Sequence, residues 1–257
     1  MHAFLNTAFE AVRLASRELT RAQSRLEKLE ISEKGHNDFV TDIDARVETI
    51  IIEQIKEAYP AHHFYGEELG GTLEGDHVWI IDPIDGTNNF MRGLPHFCIS
   101  LALQYRGVVE HGLIYDPMRD ELFTASLGRG AFLNQKRLRV TGRDKLEKAL
   151  LSTGAPLYGN IEKLAHYMKS LQRLYPRCSG IRRMGSAALD LAYVAAGRLD
   201  GFWECDLKKW DVAAGALMVK EAGGLVGNYK GQQNVSNEGD IVAATPKLFL
   251  EIVKYLN

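Results

Sequence analysis

The chain is poor in three features, and each shortage argues against a class of protein. It has only three cysteines, Cys98, Cys178 and Cys205, and no Cys-x-x-Cys pair, which argues against a disulfide framework or a zinc site. Its formal net charge is only -2 at pH 7, so no overall basic field indicates binding to nucleic acid or to an anionic membrane. It also lacks an apolar run long enough for a secretory signal or a membrane span, so we expect a cytoplasmic protein.

The remaining composition is that of an ordinary globular protein with a large core. The 257 residues are 46% hydrophobic and 25% charged, and no Pro/Ser-rich linker or internal repeat divides them. Amphipathic helices are predicted over residues 3–29 and after Asp38, followed by short strand-like runs from His62 to about Val140. From Ala149 onward strands and helices alternate. We therefore predict an α/β layered fold over 1–257 as a single unit, with helices plus an antiparallel sheet in 1–148 and an α/β subregion in 149–257.

One apolar run ends in two aspartates three residues apart. Val78-Trp-Ile-Ile is followed directly by Asp82-Pro-Ile-Asp85-Gly-Thr87. Pro83 cannot donate a ladder hydrogen bond and Gly86 tolerates unusual dihedrals, so the strand is predicted to stop here. Two carboxylates and the Ile84 carbonyl would then offer oxygen ligands to a hard cation such as Mg²⁺. An aspartate-rich turn without a metal explains the stretch equally well.

Other acidic or anion-binding groups also lie at predicted ends of elements. Glu67 follows an apolar run, and Asp44 falls in the first turn of the second helix, where it would favourably meet the helix dipole. Ser186 and Asp211 are candidate N-caps of two later helices, whose open N-termini could bind anions. Each residue has an ordinary structural explanation. These explanations do not account for the recurrence of acidic or anion-binding groups at the ends of elements in both halves of the chain.

Four motifs give the chain a resemblance to a known family. They are Gly66-Glu67-Glu68, the stretch Trp79 to Phe90, Gly185-Ser-Ala-Ala-Leu-Asp190 and Trp210-Asp-Val-Ala-Ala-Gly215. In this order they resemble the inositol monophosphatase family over essentially the whole chain, and most closely its bacterial extragenic-suppressor type. The resemblance implies alternating α-β-α-β-α layers and a Mg²⁺-dependent hydrolase that releases phosphate from myo-inositol-1-phosphate. Where the family motif commonly has a second threonine, this chain has Asn88. The first threonine of the motif, Thr87, is present.

The same resemblance assigns roles to residues of this chain. It implies two to three Mg²⁺ ions per active site, held by Glu67, Asp82, the Ile84 carbonyl, Asp85 and Asp211. It implies that Glu67 and Thr87 help to activate the attacking water, with Asp44 hydrogen-bonded to the threonine. The substrate contacts that it implies are Asp85, Gly86, Thr87, Gly185, Ser186, Ala187, Glu204 and Asp211. A homodimer and inhibition by lithium are further implications.

Three alternatives stay open at this point. Relatives of the family include fructose-1,6-bisphosphatases and nucleotide 3'-phosphatases, although the short connection over residues 70–76 favours an inositol phosphatase. A regulatory protein of transcription antitermination, in contact with RNA polymerase and Nus factors, would use basic patches. The candidate basic residues are Lys136, Arg137, Arg139, Arg143, Lys145, Arg177, Arg182 and Arg183. A calcium-stabilised structural domain is disfavoured because the chain has no EF-hand loop.

Four histidines are predicted to be structural. His62, His63, His96 and His111 share no ligand spacing and lie in or beside strand-like runs. Mg²⁺ prefers oxygen ligands over imidazole nitrogen. The sequence therefore predicts that these rings pack in the fold and do not hold the metal.

Overall fold

A computed structural model of the protein describes residues 2–25, 31–35, 38–156, 161–233 and 239–256. The helices are α1 (Ala3–Gln23), α2 (Asp42–Ala58), α3 (Thr87–Met91), α4 (Ile161–Leu174), α5 (Ala187–Ala195), α6 (Lys209–Glu221) and α7 (Pro246–Leu256). The strands are β1 (Ile31–Gly35), β2 (Asp38–Thr41), β3 (His63–Gly66), β4 (Gly70–Gly71), β5 (His77–Asp85), β6 (Cys98–Tyr105), β7 (Val108–Asp116), β8 (Glu121–Ser126), β9 (Gly130–Leu133), β10 (Lys136–Arg137), β11 (Leu150–Thr153), β12 (Gly180–Arg182), β13 (Gly201–Glu204), β14 (Leu225–Gly227) and β15 (Ile241–Ala244). No helix in these ranges combines the length and apolar character that a bilayer span requires.

The strands form two large sheets besides the β1–β2 pair. The first has eight strands in the order β10-β9-β8-β7-β6-β5-β3-β4, and the second has five in the order β12-β11-β13-β15-β14. In the second sheet β11 runs parallel to β12 and β13, while β15 runs antiparallel to β13 and β14. This mixed pairing is typical of strands that alternate with helices along the chain.

Helices cover both sheets and give the predicted layers. One core packs α1 and α2 against the first sheet, with Val12, Ile51 and Trp79 buried in it. A second core joins α5 and α6 to both sheets, and a third packs α7 and the last turn of α4 against the second sheet. Every residue of α5 is buried, and all of them except Asp190 are apolar or aromatic, as expected for a helix covered on all sides. The α/β layered fold with α-β-α-β-α order is therefore confirmed.

The structure corrects three sequence-based predictions. The sheet of residues 1–148 is not wholly antiparallel, because β3 pairs with β5 in parallel after the 67–76 connection carries the chain back. Strand β5 does not stop at Asp82; a shift of register around Pro83 is followed by renewed pairing between Asp85 and Cys98. Helix α1 ends at Gln23, before the predicted end of the helix, and residues 26–30 lie outside the described ranges.

A seam of histidines joins the start of α1 to the first sheet. His62 stacks on His77 with ring centroids 4.5 Å apart, His111 stacks on His2 at 4.3 Å, and Phe4 touches all four rings. The indole N–H of buried Trp79 donates to His62 Nδ1 at 3.0 Å, so this nitrogen carries no proton. Burial first, then the neighbouring histidines, lowers the pKa of His62 from 6.5 to about 4. The predicted structural role of His62 and His111 agrees with this packing.

We expect the protein to lose stability as the pH falls from about 6.5 towards 4. The unfolded chain takes up protons on His62 and His111 near their ordinary pKa of about 6.5, whereas the folded chain does so only at a pKa of about 4. Acidification through this window therefore favours unfolding. Urea titrations at several pH values check this, with a double His62→Gln, His111→Gln variant that should show a flatter pH profile. A profile that flattens equally in exposed His166→Gln would contradict the role of the seam.

Candidate active site

The end of β5 forms a buried acidic turn that faces α2. Asp82 is 1% exposed, and its Oδ1 accepts the N–H of Ile84 at 3.1 Å. The hydroxyl of Thr87 donates to the Ile84 carbonyl at 2.8 Å and approaches Asp44 Oδ1 at 3.3 Å. The predicted link between threonine and aspartate is therefore present in the geometry, because Asp44 lies in the first turn of α2 and points at the first residue of α3.

Asp82 is the centre of a concentration of negative charge. Burial is the first cause that raises its pKa far above the ordinary carboxyl value, followed by the charges of Glu67, Asp85, Asp211 and Asp44. Four acids around a fifth, fully buried one are costly to bring together unless positive charge joins them. This turn therefore brings together all five predicted acidic groups of the metal and water site.

Asp85 reaches from the first sheet to the start of α5. Its carboxylate accepts the hydroxyl of Ser186 and the amides of Ala187 at 3.3 Å and Ala188 at 2.7 Å. Burial raises its pKa, although these hydrogen bonds oppose the rise. Ser186 is also the predicted N-cap of α5, since its oxygen accepts from the amide of Leu189 at 3.4 Å.

Glu204, at the end of β13, interacts electrostatically with the same acidic residues. Burial, then Asp190, Asp211 and Asp85, raises its pKa well above the ordinary value, and Arg183 opposes the rise. The carboxylate lies against Gly154, where an added Cβ would come 1.8 Å from Glu204 Oε1. A larger residue at position 154 would displace this carboxylate.

Asp211 has a different position in its helix from the predicted one. The N-cap of α6 is Lys208, and Asp211 is the third helical residue, whose Oδ2 accepts the Lys208 amide at 2.6 Å. The prediction of Asp211 as N-cap was therefore wrong by three residues. A carboxylate at this position also satisfies a free N–H of the first turn, which is why the sequence pattern fits both positions.

Glu48 is a residue of this site that the sequence reasoning missed. It lies on the buried face of α2 with Val47 and Ile51, and its carboxylate accepts the amides of Glu68 at 2.9 Å and Leu69 at 3.0 Å. These bonds hold the loop that carries Glu67. A Cβ on Gly66 would come 1.9 Å from Glu48 Oε1, so a larger residue there would displace the Glu48 carboxylate. An acidic residue on an otherwise apolar helix face was the available signal.

Asn89 is a second missed residue, next to the noted departure at Asn88. Its side-chain amide donates to the carbonyls of His96 at 2.7 Å and Met184 at 2.8 Å, so α3 is tied to the segment that leads into Gly185. Asn88 is exposed. Gly86 and Gly185, at either end of this contact, have φ values of 96° and 87°, which other residues rarely adopt.

Asn89→Ala is expected to lower the free energy of unfolding by about 1–3 kcal/mol, because two partly buried carbonyls lose their donor. Its neighbour provides the matched control, since exposed Asn88→Ala should change stability by less than about 0.5 kcal/mol. Urea unfolding of both variants measures the difference. Equal losses in the two variants would show that the contact is of no importance to the fold.

The oxygen donors of the acidic turn suit a hard cation, although their arrangement is not that of a finished metal site. Among the described residues, no three His, Cys, Asp or Glu side chains are placed so that they could hold a metal ion. Asp85 and Asp211 instead accept backbone amides. The carboxylates around Asp82 nevertheless suit Mg²⁺ chemically, because Mg²⁺ prefers oxygen ligands.

The basic patches are partly used within the fold. Arg143 pairs with buried Asp200 at 3.0 Å, and the guanidinium of Arg177 lies over the ring of Tyr255, 4.8 Å from its centroid. Arg182 and Arg183 are exposed. Lys136, Arg137, Arg139 and Lys145 of the other predicted patch are exposed as well.

Comparison with known proteins gives a consistent result over the whole chain. The model of the inositol monophosphatase family matches residues 1–256. A Nus factor SuhB of Pseudomonas aeruginosa is 49% identical over 97% of this chain and 94% of its own length. The crystal structure of extragenic suppressor protein suhB from Bartonella henselae has a TM-score of 0.96 at 41% identity, covering 100% of this chain and 99% of that one. The IMPase of Thermotoga maritima has a TM-score of 0.90 at 36% identity, covering 98% and 96%.

Proposed function

The chain belongs to the inositol monophosphatase family, and we propose that it is a Mg²⁺-dependent phosphomonoesterase acting on myo-inositol-1-phosphate and similar polyol phosphates. One observation carries this proposal: the pKa of the buried Asp82, near the end of β5, is raised by burial and by the charges of Glu67, Asp85, Asp211 and Asp44. A phosphate monoester is a dianion, which such a turn would repel unless cations are bound there. Bound Mg²⁺ would supply a Lewis acid for the phosphoryl group and for a water molecule.

The residues assigned to hold Mg²⁺ are Glu67, Asp82, Asp85 and Asp211 with the Ile84 carbonyl. Thr87 and Asp44 would orient the attacking water, since the Thr87 hydroxyl already lies between Asp44 Oδ1 and the Ile84 carbonyl. Glu67 would accept the proton of that water. The proton path therefore uses groups at the junction of β5, α2 and α3.

Phosphate and polyol would lie on opposite sides of Asp85. The backbone amides of Gly86 and Thr87 are assigned to the phosphate, as donors to its oxygens. Glu204, Asp211 and the segment from Gly185 through Ala187 are assigned to the polyol hydroxyls. Asp85 connects the two sides, because it already contacts the start of α5.

The deciding experiment is phosphate release with Mg²⁺ from three esters. Inositol-1-phosphate, fructose-1,6-bisphosphate and 3'-phosphoadenosine 5'-phosphate would be compared for the wild type and for Asp85→Asn. We expect a preference for the inositol ester and a loss of about 10³-fold or more in the variant. Exposed Asp144→Asn is the control and should keep its activity.

Each other result has a definite meaning. A preference for the bisphosphate or the nucleotide would keep the chemistry and change the substrate. Activity retained by Asp85→Asn would remove Asp85 from the site. A folded protein that hydrolyses none of the esters with Mg²⁺ present would overturn the phosphatase proposal.

Activity is expected to fall in millimolar lithium. A monovalent ion held by the same carboxylates brings half the charge of Mg²⁺ and stabilises the leaving oxygen less. Inhibition curves at several Mg²⁺ concentrations measure this effect, with sodium as the control ion. Unchanged activity in millimolar lithium would contradict the prediction.

A second function is proposed from the comparisons, namely a contact with RNA polymerase or Nus factors, made by a homodimer. The supporting observation is that the Pseudomonas aeruginosa relative is a Nus factor. The exposed Arg182 and Arg183 are the residues of this chain that we assign to the contact. Pull-down with RNA polymerase and Nus factors should be weakened by Arg183→Ala and not by exposed Lys254→Ala, while light scattering reports the oligomeric state. Capture that is unchanged by Arg183→Ala would contradict this assignment.

A further inference from the structure

A cavity of about 920 Å³ lies along one face of α6, and none of the assigned metal or substrate residues lines it. The face consists of Lys209, Val212, Ala213, Ala216, Leu217 and Lys220. Their spacing of three and four residues places them on one side of the helix. The cavity is therefore a second concave feature, separate from the acidic turn.

The cavity has apolar walls that remain in contact with water. Opposite α6 it is lined by Leu73, Val108 and Leu127, which are 37%, 53% and 51% exposed. Large apolar side chains that are exposed together around a hollow usually mark a binding surface. A ligand with an apolar body would cover them.

Cations outnumber carboxylates around the same hollow, which is lined by four lysines and by Asp206 and Asp240. Of its four lysines, Lys163 pairs with Asp206, whereas Lys208, Lys209 and Lys220 make no ion pair within the described part of the chain. The ammonium of half-buried Lys209 donates to Gln104 Oε1 at 2.7 Å, a neutral acceptor. Within the described residues the Lys209 ammonium therefore has no carboxylate as counter-charge. A bound anion would supply that charge.

We propose that this cavity binds a small amphiphilic anion, a carboxylate or phosphate on an aliphatic chain, with its head group at Lys209 and its chain between α6 and Val108. The volume lies within the range typical of small-molecule sites, which combine apolar walls with a few polar groups. Polyol phosphates lack an apolar body and do not match these walls. The site is additional to the proposed phosphatase site and requires no metal.

Calorimetric titration with decanoate and decyl phosphate tests the proposal without reference to phosphatase activity. Both should bind at least about tenfold more tightly than neutral octyl glucoside, because the charged head group adds a charge-assisted hydrogen bond. Acetate, which has the head group alone, should show no binding. Anionic phospholipid vesicles form another arm, and the protein should not sediment with them.

Variants of lining residues test whether the binding occurs in this cavity. Lys209→Met should weaken decanoate binding about tenfold, and Ala213→Phe, which fills the hollow, should abolish it. Leu127→Asp at the exposed rim should also weaken binding. This variant keeps the test decisive if Ala213→Phe fails to fold. Exposed Lys254→Met is the control. Equal affinities for decanoate and octyl glucoside, binding indifferent to Lys209→Met, or binding only to vesicles would overturn the proposal.

Discussion

Asp82→Asn is expected to lower kcat/KM by about 10³-fold or more while raising the melting temperature of the metal-free protein. The amide keeps an oxygen for the N–H of Ile84 but removes a buried carboxyl group whose ionisation is opposed by burial and by four other acids. A loss of 10³-fold corresponds to about 4 kcal/mol of transition-state stabilisation. Steady-state kinetics with Mg²⁺ and thermal unfolding in chelator measure the two effects.

The same variant separates binding of Mg²⁺ from simple damage to the fold. Wild type should gain thermal stability with added Mg²⁺, because an ion that binds only the folded state stabilises that state by mass action. Asp82→Asn should gain little. Exposed Asp144→Asn should behave as wild type in both assays. A variant that melts lower than wild type without metal would show that charge repulsion at Asp82 is not the dominant cost.

Glu48→Ala is expected to lower the free energy of unfolding by about 2–5 kcal/mol and to reduce activity at least about tenfold. The amides of Glu68 and Leu69 would lose their acceptor, and each unsatisfied group costs about 1–3 kcal/mol. The loop that presents Glu67 would then be less well positioned. Urea unfolding and kinetics at several Mg²⁺ concentrations measure these changes.

The Mg²⁺ dependence distinguishes a positioning role from a purely structural one. If Glu48 positions Glu67, the Mg²⁺ concentration for half-maximal activity should rise in Glu48→Ala and rise less in Glu48→Gln, which keeps one acceptor oxygen. Exposed Glu53→Ala, on the same helix, should leave stability and Mg²⁺ dependence near the wild-type values. A loss of stability with unchanged Mg²⁺ dependence would show that Glu48 stabilises the fold and does not position Glu67.

Local pattern was sufficient for much of the fold. Strands and helices alternate after Ala149 as predicted, and Ser186 is the predicted cap of α5. Asp44 falls in the predicted first turn of α2. These features depend on residues three or four positions apart, which contact one another within a single helix, so their signal is carried by adjacent sequence.

The predicted site residues were found through the family resemblance, and in the structure four of the acidic ones, Glu67, Asp85, Asp211 and Asp44, act on the charge of a fifth, Asp82. Their roles in metal binding and catalysis stay predictions. The motifs did not reveal Glu48 or Asn89, because both act by holding backbone groups far away in sequence. Asn89, for example, bonds the carbonyl of Met184. A hydrogen bond of this kind leaves no periodic trace near either partner.

The sequence by itself determined the family, the layered α/β class and the positions of the acidic motifs at the ends of elements. Only the tertiary structure decided that β3 runs parallel to β5, that β5 continues to Asp85, and that Asp211 is the third residue of α6. It also created the cavity between α6 and the start of β7. Periodicity and capping are local and can be read from neighbouring residues, whereas strand pairing and cavities depend on which distant surfaces pack together.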